Sequence, residues 1–142
     1  MNRLGLDIGS TTLKCAVLSE GGEMLFSAYR RHYSKIAETA HEMLLLLQEK
    51  FLRETFAVTI SGSAGMGIAQ DCGVPFVQEV FAEKLCVSRF DPQTDAVIEL
   101  GGEDAKILFL TDGFEMRMNG SCAGGTGAFI DQMASLMQIT PT

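Results

Sequence analysis

Apolar and polar residues alternate through three short runs in the first thirty residues of the chain. The runs cover residues 3–8, 13–18 and 24–29, and glycine-containing turns separate them. Alternation with a period of two is typical of strands that bury one face, and tight glycine turns join antiparallel neighbours. The pattern therefore predicts a three-stranded antiparallel meander.

The spacing of the apolar residues changes to a helical rhythm after the third run. Apolar residues recur every three or four positions over residues 36–51, and Ser34 is the predicted N-cap of this helix. There follow a strand over residues 56–60, a glycine-rich turn, a short helix to about residue 71, a short strand over residues 74–77 and a helix over residues 78–89. The first ninety residues thus predict an α/β lobe with a mixed sheet and the element order βββαβαβα.

The strand pattern then begins again over residues 95–100, 105–110 and 114–118, before a helix that starts near Thr126. When the sequence is shifted by 92 positions, several residues of the first hairpin fall on similar residues of the second. The aligned pairs are Asp7 with Glu99, Gly9 with Gly101, Lys14 with Lys106, Leu18 with Leu110, Gly21 with Gly113 and Glu23 with Glu115. Such repetition in register predicts a duplicated unit. We expect a first lobe over residues 1–91 and the beginning of a second, incomplete lobe over residues 92–142.

Each repeated hairpin carries a carboxylate at a strand end, followed by glycine and a small residue. A tight turn of this kind presents backbone N–H groups that bind anions, and glycine lets phosphate oxygens approach closely. The adjacent carboxylate suits Mg²⁺, which prefers oxygen ligands and keeps part of its water shell. The two hairpins together indicate a nucleoside triphosphate held from both sides. The alternative is that the glycines only permit the turns.

Charge and composition narrow the classes of protein that remain. The net charge of -7 argues against a nucleic-acid-binding surface, which is basic. No apolar run approaches the roughly 20 residues that span a bilayer. The first residues do not resemble a signal peptide, and the four cysteines form no CxxC pair. We therefore expect an acidic, soluble, cytoplasmic protein with reduced thiols that binds neither nucleic acid nor membrane.

Three motifs resemble those of known ATPases. The stretch DIGSTT, residues 7–12, resembles the first phosphate motif of the actin, Hsp70 and sugar-kinase ATPases, and ELGGEDAK, residues 99–106, resembles the second. The stretch MNGSCAGGTG, residues 118–127, is similar to the cysteine motif of the BadF/BadG/BcrA/BcrD ATPases, which include activators of 2-hydroxyacyl-CoA dehydratases. The resemblance covers essentially the whole chain. It implies a ribonuclease H-like, actin-like ATPase lobe followed by the start of a duplicated second lobe.

The same resemblance implies roles for particular residues. In that family, ATP hydrolysis is coupled to electron transfer from a [4Fe-4S] cluster, shared across a homodimer, to a dehydratase- or reductase-type partner enzyme. Carried over by motif position, Cys122 would ligate the cluster, and Asp7 and Asp104 would handle Mg²⁺ and the attacking water. The residues that the resemblance implies near phosphate or cofactor are Gly9, Ser10, Thr11, Lys14, Gly101, Gly102, Gly124, Gly125 and Thr126. Lys14 and Lys106 either face phosphate or remain solvated.

Two other functions fit the same superfamily. One is a small-molecule kinase, which would contain no iron, and the other is a non-catalytic ATP-sensing or scaffold module. Glu99 and Glu103 depart from the residues usual at their positions, which indicates a divergent branch. No cysteine follows Cys122, and the adenosine-binding segment is missing, so we expect an N-terminal fragment that is inactive alone.

The remaining cysteines and the histidines have no spacing that predicts a site. We expect Cys15, Cys72 and Cys86 to be core or half-buried thiols. Neither His32 nor His41 has a partner at metal-ligand spacing, so both are predicted to be surface residues.

Overall fold

The computed structural model of the chain describes residues 1–102, 104–111, 113–119 and 126–140. The chain divides into two compact units, Met1–Glu83 and Lys84–Thr142. The predicted lobe boundary after residue 91 stays a prediction.

A four-stranded mixed sheet organises the first unit. Its strands are β1 (Asn2–Ile8), β2 (Thr12–Leu18), β3 (Met24–Arg31) and β4 (Phe56–Ser61). Across the sheet the order is β3-β2-β1-β4, with β1 to β3 antiparallel and β4 parallel to β1. The predicted meander is therefore confirmed. The helices that follow are α1 (Ile36–Lys50), α2 (Gly65–Cys72) and α3 (Glu79–Phe90), the last of which continues into the second unit.

One face of this sheet carries the hydrophobic core, as the alternating pattern predicts. The buried strand residues are Leu4, Leu6, Ile8, Leu13, Cys15, Val17 and Ile60. Met43 and Leu47 lie four residues apart on α1 and bring its apolar side into the same cluster. Burying each such aliphatic side chain contributes about 1.5–3 kcal/mol to folding. This core fixes the position of β1 and β2, which together form the first repeated hairpin.

The start of α1 differs from the prediction. The N-cap is Lys35 and not Ser34, and no side chain caps the helix. Tyr33 and Ser34 have φ angles of 47° and 63°, whereas an N-cap residue needs an extended backbone. The Ser34 N–H instead donates to Nδ1 of His32, 3.1 Å away. The chain therefore folds back on itself before the helix begins.

The strand predicted over residues 74–77 is reduced to one parallel bridge, between Ile60 and Phe76. The Ile60 N–H donates to Pro75 O, and the Val77 N–H donates to Ile60 O, both at 2.9 Å. Because Pro75 has no N–H, the ladder cannot extend through it. The segment runs beside β4 but does not form a strand, so the predicted βββαβαβα order is wrong at this element.

The second unit contains the end of α3, a three-stranded antiparallel sheet and a further helix. The strands are β5 (Ala96–Leu100), β6 (Ala105–Phe109) and β7 (Glu115–Met118), in that order, and the helix is α4 (Gly127–Met137). The predicted strands and the helix start near Thr126 are confirmed. Leu108 and Thr126 are fully buried, whereas Ile98 and Leu136 are 70% and 72% exposed. In the described residues this unit has a much smaller core than the first.

None of the helices in the described part of the chain combines the length and the apolar character that crossing a bilayer requires.

Candidate functional site

The first candidate site is the turn between β1 and β2, residues 9–12, called here the first turn. The Gly9 N–H donates to Thr12 O at 2.9 Å and closes the turn. Within the described residues, the N–H groups of Ser10 and Thr11 donate to no backbone carbonyl. Successive backbone N–H groups in a turn are the donors from which anion-binding sites are built. The predicted phosphate contacts of this turn are therefore chemically available.

An ion pair lies directly beside the first turn. Asp7 and Lys14 are opposite each other in the β1–β2 register, and the Lys14 ammonium is 2.7 Å from Asp7 Oδ2. Their side chains are 31% and 46% exposed, so both remain accessible to a ligand. Lys14 thus contacts a carboxylate rather than standing free in solvent. An incoming phosphate would compete with Asp7 for this cation.

The turn that connects β4 to α2 packs closely behind Asp7. Gly62 is buried with φ at +93°, and a Cβ added there would lie 2.5 Å from Asp7 Oδ1 and would also meet the carbonyl of Ile8. Only glycine fits this position without moving β1. The β4–α2 turn therefore packs directly against the Asp7 carboxylate.

The second candidate site, the turn between β5 and β6 that spans residues 101–104, is called here the second turn. The Gly101 N–H donates to Asp104 O at 2.8 Å, which is the counterpart of the bond that closes the first turn. Glu99 and Lys106 are opposite each other in the β5–β6 register, as Asp7 and Lys14 are in the first hairpin. The residues aligned by the 92-residue repeat thus make the same contacts in both hairpins.

The carboxylates of the second turn surround a buried lysine. The Lys106 ammonium lies 3.2 Å from Glu99 Oε2 and 3.7 Å from Asp104 Oδ2, and its side chain is only 3% exposed. Glu99 Oε2 is buried and accepts no hydrogen bond, because Lys106 approaches it at ion-pair distance without hydrogen-bond geometry. The Asp104 side chain is 38% exposed, so its carboxylate is the one in this group that a hydrated cation such as Mg²⁺ can approach.

The described residues provide carboxylates for Mg²⁺ but no complete metal cage. Among them, no three His, Cys, Asp or Glu side chains come together as a metal-binding group. Mg²⁺ that accompanies a nucleotide needs only one or two protein carboxylates, since phosphate oxygens and water complete its shell. Asp7 in the first unit and Asp104 in the second each offer one such carboxylate, whereas the described residues form no dedicated metal site.

In each turn the carbonyl of the first glycine is also contacted by a more distant group, and that group differs between the two turns. In the first, the ring Nε2 of His32 lies 3.0 Å from Gly9 O, and the His32 N–H donates to Thr11 O at 3.2 Å. In the second, the Gly127 N–H at the start of α4 donates to Gly101 O at 2.7 Å. His32 is 2% exposed, so its prediction as a surface residue is wrong. Nothing in its sequence spacing indicates this contact.

Thr126 is fully buried and is the N-cap of α4. It therefore lies next to Gly127, the residue that contacts the second turn. Its predicted contact with a cofactor stays a prediction. The predicted cofactor-binding residues Gly124 and Gly125 lie outside the described residues.

The predicted cluster ligand Cys122 also lies outside the described residues. Cys15 is buried, as expected, and its thiol donates to Met43 Sδ at 3.4 Å. Burial raises the pKa of the Cys15 thiol, which keeps it protonated and unreactive. Cys72 and Cys86 are exposed, so their prediction as core or half-buried thiols is wrong.

The chain is similar in sequence to a known family of ATPases. The sequence model of the BadF/BadG/BcrA/BcrD ATPase family matches residues 4–141. The (R)-2-hydroxyglutaryl-CoA dehydratase activating ATPase of Acidaminococcus fermentans is 28% identical over 148 aligned positions, which cover 96% of this chain and 54% of that protein. The chain therefore spans about half the length of this relative.

Two solved structures resemble the chain closely in fold. Component A of the Acidaminococcus fermentans (R)-2-hydroxyglutaryl-CoA dehydratase superposes with a TM-score of 0.84 at 26% identity, over 99% of this chain and 56% of that one. The activator of the 2-hydroxyisocaproyl-CoA dehydratase from Clostridium difficile, with bound ADPNP, gives a TM-score of 0.79 at 27% identity, over 99% and 54%. The actin-like α/β fold expected from the sequence is confirmed by these matches.

Proposed function

The chain belongs to the BadF/BadG/BcrA/BcrD ATPase family, and from that premise we propose that it supplies phosphate- and magnesium-binding residues of an ATP-dependent activator of a 2-hydroxyacyl-CoA dehydratase. The observation that carries the proposal is the shared construction of the two turns. Each has a glycine amide closing the turn and an acid–lysine pair across the adjoining strands. The names of the relatives supply the class of reaction.

The residues of the first turn act on phosphate. The amides of Ser10 and Thr11 donate to phosphate oxygens, since they have no backbone acceptor among the described residues. Lys14 supplies a positive charge that is already held within 2.7 Å of Asp7. When phosphate draws Lys14 away, the Asp7 carboxylate is left to accept hydrogen bonds from water.

The second turn adds a second set of charges. Glu99 and Asp104 together place two carboxylates around the buried Lys106 ammonium. Asp104 accepts a proton from, or orients, a water molecule, and the Gly102 amide donates to phosphate. Bound Mg·ATP supplies the phosphoryl group whose transfer to water drives the cycle. Preorganised donors and charges of this kind provide most of the acceleration in phosphoryl transfer.

The proposal extends to an iron–sulfur cluster and a partner enzyme. Cys122 precedes α4 in a glycine-rich stretch, where the partial positive charge of a helix N-terminus favours the thiolate form. A cluster ligated there, shared with a second copy of the chain, would supply a one-electron carrier for a dehydratase-type partner. The cluster rests on the residue 118–127 motif alone, and the dehydratase-type partner rests on the names of the relatives.

Anaerobic reconstitution with iron and sulfide tests the proposal at the native length of the protein. Cys122→Ser is compared with Cys72→Ser, a matched control at an exposed cysteine. We expect bound iron and a broad visible absorption band in the native protein and in the Cys72 variant, and loss of both in the Cys122 variant. A native protein that hydrolyses ATP without binding iron would refute the activator and favour a kinase or an ATP-sensing module. Phosphoryl transfer to an added acceptor would then separate these two.

A further inference from the structure

His32 is a buried residue that contacts the first turn and that the proposed chemistry leaves unused. Its side chain is 2% exposed, although it follows the last residue of an edge strand. Its ring Nε2 lies 3.0 Å from Gly9 O, and its own N–H donates to Thr11 O at 3.2 Å. One residue therefore contacts two carbonyls of a four-residue turn.

The hydrogen bonds define which ring nitrogen carries the proton. The Ser34 N–H donates to Nδ1, so Nδ1 is an acceptor and carries no hydrogen. Gly9 O can only accept, so Nε2 carries the hydrogen and donates it. Both ring nitrogens are thus satisfied in the neutral Nε2–H form. The left-handed conformations of Tyr33 and Ser34 bring the Ser34 amide to this position, which shows that the backbone accommodates the contact.

The planar peptide bond between Gly9 and Ser10 links the His32 contact at Gly9 O to the direction of the Ser10 N–H, a proposed phosphate donor. In a trans peptide, the C=O of one residue and the N–H of the next point in opposite directions within one plane. When His32 holds Gly9 O toward its buried ring, the Ser10 N–H is directed the opposite way. Ser10 is exposed, and its amide has no backbone acceptor among the described residues. His32 therefore determines the direction in which this donor points.

The second turn offers an internal comparison. Gly101 is the counterpart of Gly9 in the repeat, and its carbonyl is also held, at 2.7 Å, by the Gly127 N–H. The same carbonyl is thus fixed in both hairpins, once by a helix amide and once by an imidazole. A contact made twice at equivalent positions by unrelated groups indicates that the turn requires it.

From these observations we propose that His32 is the positioning residue of the first turn and directs the Ser10 amide toward the phosphates of bound nucleotide. The inference rests on the proposed nucleotide-binding function for its consequence, but the hold on the turn exists without ligand. His32 touches no reacting atom in this role. Its effect is on affinity for nucleotide and on the rigidity of residues 9–12.

Two substitutions separate the ring's contacts. His32→Gln keeps an N–H donor near the position of Nε2 and loses the acceptor for Ser34. His32→Asn keeps an acceptor near the position of Nδ1 and loses the donor to Gly9. Each variant loses one hydrogen bond, so we expect similar decreases in melting temperature. Their effects on the first turn should differ.

The first readout needs no ligand. Residue-resolved hydrogen exchange should show the Gly9 amide exchanging about tenfold faster in His32→Asn than in the native chain, as expected for one lost hydrogen bond. His32→Gln should remain within about threefold of native. Nitrogen-detected NMR of the imidazole should report a protonated Nε2 and a bare Nδ1. A protonated Nδ1, or equal exchange in the two variants, would overturn the proposal.

The second readout is the dissociation constant for Mg·ADPNP, measured calorimetrically on the protein at its native length. We expect about tenfold weaker binding for His32→Asn and nearly native binding for His32→Gln. Faster Gly9 exchange without weaker binding would overturn the positioning role. If the native protein binds no Mg·ADPNP, the proposed function is refuted, and the exchange experiment alone supports or overturns the hold of His32 on the turn.

Discussion

Replacing Gly62 with alanine measures how tightly the β4–α2 turn packs against the end of β1. An added Cβ at Gly62 would lie 2.5 Å from Asp7 Oδ1 and from the carbonyl carbon of Ile8. Ile8 O also accepts the Ala64 N–H at 2.9 Å, and this bond cannot persist if the two segments separate. Gly62→Ala should therefore destabilise the fold and displace Asp7.

The magnitude follows from two separate costs. The φ of +93° at Gly62 is unfavourable for alanine, which costs about 1–3 kcal/mol. Loss of the Ala64 hydrogen bond adds about 1 kcal/mol. We expect Gly62→Ala to lower the free energy of unfolding by about 3 kcal/mol, which is a large part of the stability of a small domain.

Two other glycines provide matched controls. Gly73 ends α2 with φ at +64°, but an added Cβ would meet nothing within 4 Å, so Gly73→Ala should cost about 1 kcal/mol through conformation alone. Gly67 lies within α2, with ordinary φ and open space, so Gly67→Ala should stabilise by about 0.5–1 kcal/mol. Urea denaturation followed by circular dichroism measures all three. Equal costs at Gly62 and Gly73 would refute the close contact behind Asp7.

Three further predictions concern charge and thiol chemistry. Asp7→Asn should lower phosphate release from ATP about 100-fold at native length, while its half-exposed pair with Lys14 contributes less than about 1 kcal/mol to stability. Lys106→Met should cost about 3 kcal/mol in urea denaturation and Lys14→Met less than about 1, because only Lys106 is buried between carboxylates. Burial raises the pKa of the Cys15 thiol in the folded state, so the stability it contributes is complete below the unfolded pKa of about 8.5 and is lost as the pH rises further. Cys15→Ala should flatten this alkaline decline.

Each of these predictions has a contrary outcome. If Asp7→Asn released phosphate from ATP at the native rate, Asp7 would have no role in hydrolysis. Equal stability of the two lysine variants would show that burial of Lys106 has no energetic consequence. An alkaline decline that persists in Cys15→Ala would assign it to another group.

The alternating strands were predictable because the signal is local. In β1 and β2 every second residue faces the core, and the sequence shows that period directly. The start of α4 was predictable for a similar reason, since Thr126 is a residue type that favours the N-cap position. Ser34 is of the same type, yet it has a left-handed conformation that excludes capping, and its amide donates to His32. This contact spans only two residues, but the His32 ring also lies 3.0 Å from Gly9 O, 23 residues away, so a tertiary contact accompanies the departure from the local preference.

The acid–lysine pairs of the repeat can be recognised in the sequence, whereas the contacts that His32 and Gly127 make with the turns cannot. The pairs Asp7–Lys14 and Glu99–Lys106 each join two consecutive strands. The members of each pair are therefore close together in the sequence, where the repeat makes them visible. The groups behind the turns lie 23 and 26 residues away, at His32 and Gly127. The Gly127 contact is made by a backbone N–H, which almost every residue type provides, so the sequence does not mark it. His32 is a single residue without a repeating spacing that would mark its contact. The predicted donor surface for phosphate is therefore legible in the sequence, whereas the direction in which its amides point depends on contacts that only the fold reveals.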